Sequence, residues 1–72
     1  MKIVIERTET NEIIIYFDNG EQQYKFDYIY MVKYLYKNKK FDEVIYKGSV
    51  SQEEKTKIDS MFEDIYKAVE EA

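Results

Sequence analysis

Asn19-Gly20 stands between two short runs in which apolar and polar residues alternate, and this dipeptide constrains the fold more than any other feature of the chain. A two-residue hairpin turn of type I′ needs positive φ at both central positions, which asparagine and glycine tolerate best. Such a turn sets a register in which Asp18 faces Glu21, Phe17 faces Gln22, Ile15 faces Tyr24 and Ile13 faces Phe26. Ile13, Ile15, Phe17, Tyr24 and Phe26 then share one sheet face, the expected core side. The opposite side carries Ile14, Tyr16, Gln23 and Lys25, which is more apolar than a solvated face requires. Met1 to Glu6 alternates in the same way, with Ile3 and Ile5 on one side and Lys2, Val4 and Glu6 on the other. Arg7 to Asn11 is a polar connector, so the first three strands are expected to form an antiparallel meander.

Beyond Phe26 the period changes. Asp27 can cap a helix that runs without a breaker from Tyr28 to Lys37, with Asn38-Lys39-Lys40 ending it. At about 100° per residue, Tyr28, Met31, Val32, Leu35 and Tyr36 form its apolar side, while Tyr30, Lys33, Tyr34 and Lys37 lie opposite. A short strand is expected over Asp42 to Lys47, then a loop at Gly48-Ser49. Ser51 and Glu54 have the spacing of a capping box, which places the start of a final helix there. Ile58, Phe62, Ile65 and Val69 make its apolar stripe, flanked by Met61, Tyr66 and Ala68. The expected fold is therefore α+β in the order β-β-β-α-β-α: a meander followed by helix, strand and helix, with both helices on one sheet face. Residues 1–72 are expected to be one small domain, because a chain of this length has material for a single core.

The composition, 44% apolar and 36% charged, is that of a chain that folds. There is no histidine and no cysteine. Their absence removes the commonest general base, the usual zinc ligands and all thiol chemistry. Ser49, Ser51 and Ser60 have no adjacent base, no glycine-rich phosphate loop is present, and Asp18 to Glu21 is too short to wrap calcium. No catalytic residue, cofactor or metal site is therefore expected. The apolar run at the N-terminus is too short for a signal peptide or a membrane span, and the lack of cysteine suits a reducing cytoplasm.

Three surfaces remain as candidates. Val4, Ile14, Tyr16 and Ile45 form an apolar strip on the outer sheet face, expected to meet a partner protein or a second copy of the chain. Tyr30, Lys33, Tyr34 and Lys37, extended by Lys39 and Lys40, interleave rings and ammonium groups as a surface for single-stranded nucleic acid or an anionic peptide does. The third is acidic: from Ser51 onward seven carboxylates oppose three lysines, which accounts for the whole net charge of -4. Asp59, Glu63, Asp64, Glu70 and Glu71 are its candidate contacts.

These features lead to a small non-enzymatic protein-binding or regulatory domain, with a homodimer as its simplest form. The alternatives are an acidic inhibitor of the anti-defence or DNA-mimic kind, encoded by a phage or mobile element, and a weak binder of single-stranded nucleic acid. A protein partner is expected; a nucleic-acid partner or a membrane is not.

Overall fold

A computed structural model describes residues 1–71. The elements are β1 (Lys2–Arg7), β2 (Ile13–Asp18), β3 (Gln23–Lys25), α1 (Tyr28–Asn38), β4 (Glu43–Lys47) and α2 (Gln52–Glu71). They fall into two compact units, a sheet unit made of Met1–Phe26 with Phe41–Val50, and a helical unit made of Asp27–Lys40 with the chain from Ser51 onward.

In the sheet unit the strand order is β3-β2-β1-β4. β1 and β2 pair antiparallel, as do β2 and β3, but β4 joins the free edge of β1 in parallel. The sheet is thus mixed, rather than an antiparallel meander with one more strand. The direction of β4 follows from its connection: β3 runs parallel to β1, and a strand–helix–strand link brings the next strand in the same direction.

β1 is an inner strand, and Ile3, Val4 and Ile5, which alternate between its two faces, are all buried. The expectation that Val4 faces water is therefore wrong; its exposure is 1%. The register sets Tyr16 on one side of Val4 and Ile45 on the other. The Tyr16 hydroxyl donates to Glu6 Oε1 at 2.9 Å, so the ring lies along β1 and shelters the valine. A run of consecutive apolar residues suits a strand enclosed on both sides better than the alternation of a half-solvated one.

The β2–β3 turn also departs from expectation. Asp18 pairs with Gln23, Phe17 with Tyr24 and Tyr16 with Lys25, a register two residues away from that of a type I′ turn. Gly20 has φ 95°, whereas Asn19 is not in the left-handed region. Side chains close the loop instead: Asp18 Oδ1 accepts from the Gly20 amide at 2.8 Å, and Asn19 Oδ1 accepts from the Glu21 and Gln22 amides at 3.0 and 2.8 Å. Short Asx side chains supply acceptors that a tight turn would take from the backbone, and this permits the longer loop. The Gly20 amide also holds the Asp18 carboxyl below its ordinary pKa.

A shift of two leaves every side chain on the face first assigned to it. Phe17 is accordingly buried, with its ring centroid 5.6 Å from that of Phe26 and 6.0 Å from that of Phe41. Tyr24 is exposed rather than core, because β3 is a three-residue edge strand.

Gly48 is required for two reasons. Its φ is 76°, and a Cβ there would come within 2.7 Å of the Arg7 carbonyl oxygen. The Arg7 guanidinium ties the same corner together, donating to the Ser49 and Asn11 carbonyls at 3.3 and 3.1 Å.

In the helical unit both expected caps are present. Asp27 Oδ1 accepts from the Tyr30 amide at 3.1 Å. Ser51 and Glu54 exchange hydrogen bonds, Ser51 Oγ accepting from the Glu54 amide and Glu54 Oε1 from the Ser51 amide, each at 3.1 Å. Lys39 closes α1 from a left-handed conformation, φ 73°, donating its amide to the Leu35 carbonyl at 2.7 Å. Met31 and Leu35 are buried on α1, as are Phe62 and Val69 on α2. Tyr28 and Tyr36, expected on the apolar side of α1, are instead 61% and 49% exposed, and Met61 is exposed on α2. The buried stripe of α1 is a single line of two residues, Met31 and Leu35; Tyr28 is the first residue of the helix, and Tyr36 points about 100° away from Leu35.

Candidate interaction surfaces

The outer sheet face does gather Val4, Ile14, Tyr16 and Ile45. Tyr16, Val4 and Ile45 form one cross-strand row, with Ile14, Glu6 and Lys47 in the next and Asp18, Lys2 and Glu43 on the other side. The apolar row thus lies between the charged row of Asp18, Lys2 and Glu43 and a row in which Glu6 and Lys47 stand beside Ile14. Ile14 is 41% exposed, whereas Tyr16 and Ile45 are half-buried. Burial raises the Tyr16 pKa above its ordinary value, and the hydrogen bond and charge of Glu6 push in the same direction, against a smaller opposing effect of Lys47. With Val4 covered and Tyr16 bonded to Glu6, this face has less free apolar surface than the residue types imply.

On α1, Tyr30, Lys33, Tyr34 and Lys37 line a shallow hollow of about 420 Å³. Tyr30 is exposed and Tyr34 half-buried. Asn38 Nδ2 bonds the Tyr34 carbonyl at 3.0 Å, fixing the end of the hollow. Lys39 and Lys40 open onto a separate concavity shared with Tyr66 and Glu70.

Asp59, Glu63, Asp64, Glu70 and Glu71 are all exposed, but they do not form one face. Asp59, Glu63 and Glu70 share a side of α2, while Asp64 and Glu71 lie about 120–140° around it. Among the described residues no group of carboxylates is placed to hold a metal ion.

A fourth surface was not foreseen. Tyr28, Val32 and Tyr36 of α1 face Asp64, Ile65 and Ala68 of α2 across a groove of about 290 Å³. Tyr28, Val32 and Tyr36 follow one another at four-residue spacing, so a short side chain separates two tall ones along one line of the helix. Ala68 opposite leaves that space unfilled. The Tyr-Val-Tyr spacing is visible in the sequence and there reads as core, because amphipathic periodicity does not distinguish a packed apolar residue from one at the rim of a groove.

No helix among the described residues is long and apolar enough to cross a membrane. No protein-family model, curated protein or solved structure matches the chain.

Proposed function

We propose that this chain is a non-enzymatic protein-binding domain whose contact surface is the groove between α1 and α2. One observation carries this: Tyr28 and Tyr36, two of the large apolar side chains left exposed among the described residues, line this groove together with Val32, Ile65 and Ala68. Tyrosine and methionine are enriched where proteins meet, and a concentrated exposed apolar surface is uncommon without a partner. The outer sheet face, which would serve a homodimer, supports it less well because Val4 is covered. Capture experiments with Ala68→Leu, which fills the groove, and Ile14→Glu, which charges the sheet face, test the assignment. Loss of a saturable partner with Ala68→Leu alone is expected. Loss with Ile14→Glu alone, together with a wild-type dimer in sedimentation that this variant dissolves, transfers the function to the sheet.

A second reading has one observation in its favour, the hollow on α1 lined by Tyr30, Lys33, Tyr34 and Lys37. Binding of a single-stranded oligonucleotide that weakens with salt and again in Tyr30→Ala supports it.

A further inference from the structure

Building on the assignment of the groove as the contact surface, we infer that its occupant is a basic side chain, arginine or lysine, carried beside an apolar residue on a partner peptide or protein. The groove is lined by Tyr28, Val32, Tyr36, Ile65, Ala68 and Val69 with Asp64, and among the described residues Asp64 is the one charged group that lines it. The Asp64 carboxylate takes part in no hydrogen bond or ion pair with the described residues, so its acceptor sites are open. Tyr28 and Tyr36 lie eight residues apart on one helix, roughly 12 Å at the helical rise, which leaves room for one long side chain and a neighbour between them. Lysine and arginine combine an apolar stem with a cationic head, so the stem can lie on Val32 and Ile65 while the head meets Asp64. The tyrosine ring faces attract the same cation, and arginine gains more because its planar guanidinium both stacks and bonds a carboxylate in bidentate fashion. An acidic or purely apolar occupant would leave Asp64 repelled or desolvated without a partner.

The test is a selection of random 12-residue peptides displayed on phage against the whole chain, followed by affinity measurements on the enriched peptides. Enrichment of an arginine or lysine next to a large apolar residue is expected. Asp64→Asn should weaken those peptides roughly fivefold and flatten their salt dependence, on the scale of a partly exposed ion pair. Asp59→Asn removes the same charge elsewhere on α2 and should change affinity less than about twofold, since exposed charges beyond a Debye length are screened. Ala68→Leu should abolish binding while leaving the melting temperature within a few degrees. Peptides that lose binding in Ala68→Leu but show no basic preference overturn the inference and leave the groove as a protein-binding surface. Peptides indifferent to Ala68→Leu overturn both. Equal weakening by Asp64→Asn and Asp59→Asn overturns the inference, since it reduces the basic preference to general attraction by an acidic helix.

Discussion

The sheet unit and the helical unit are both rich in apolar residues and place them differently. β1 buries three consecutive residues, Ile3, Val4 and Ile5, whereas α1 buries two of eleven, Met31 and Leu35, and leaves Tyr28, Ile29, Tyr30 and Tyr36 exposed. An inner strand has a neighbouring strand on each edge, so its side chains meet others on both sides. A helix has one buried stripe, and large residues outside that stripe stay in water. The sheet unit is thus where substitutions should cost stability, and the helical unit is where large residues are available for contact.

The contrast is most open to attack at Val4. Val4→Asp would bury an unpaired charge, and the domain is expected to unfold, a loss above about 3 kcal/mol. A denaturant midpoint near that of the wild type would show that Val4 faces water after all. Phe17→Ala should be nearly as damaging, at about 3–5 kcal/mol, since a fully buried ring leaves a cavity among Phe26 and Phe41.

The two glycines provide a finer comparison. Gly48→Ala should cost about 2 kcal/mol or more, because a left-handed conformation and a backbone clash with Arg7 combine there. Gly20→Ala has open space around it and should cost about 1 kcal/mol from conformation alone. Equal midpoints for the two variants would remove the Arg7 contact as a cause. In the helical unit Ser51→Ala should cost about 1 kcal/mol through loss of its half of the capping box. Tyr28→Ala should stay within about 0.5 kcal/mol of wild type, and a larger loss would mean that this ring is packed rather than available.

The smallest expected effect depends on pH. Folding raises the Tyr16 pKa above 10.0, so the folded state holds the phenolic proton more tightly than the unfolded one. That contribution is present in full below pH 10 and is lost as pH rises through the folded pKa. Thermal melts above pH 10 should therefore show a steeper alkaline decline for wild type than for Tyr16→Phe. Identical profiles would mean that folding, through burial and Glu6, does not hold the Tyr16 proton.

The local chemistry of the chain is legible in its sequence. Asp27 and the Ser51/Glu54 pair announce helix starts because a cap needs only residues three positions apart, and alternation around Ile13 to Phe17 announces a strand for the same local reason. Face assignment on β2 and β3 survived an incorrect register, because a slip of two residues preserves parity. Whether a given apolar residue is buried was decided only in three dimensions. β4 settling in parallel beside β1 puts Ile45 next to Val4, which lies between it and Tyr16 and is buried on the outer face, although nothing near Val4 in sequence refers to Ile45 forty-one positions away. The groove likewise depends on Val32 and Ala68 being short at positions where two helices meet, a coincidence between distant segments. Sequence determines which stripe of each element is apolar through its own period; tertiary structure decides which part of that stripe is covered, because covering takes atoms from elsewhere in the chain.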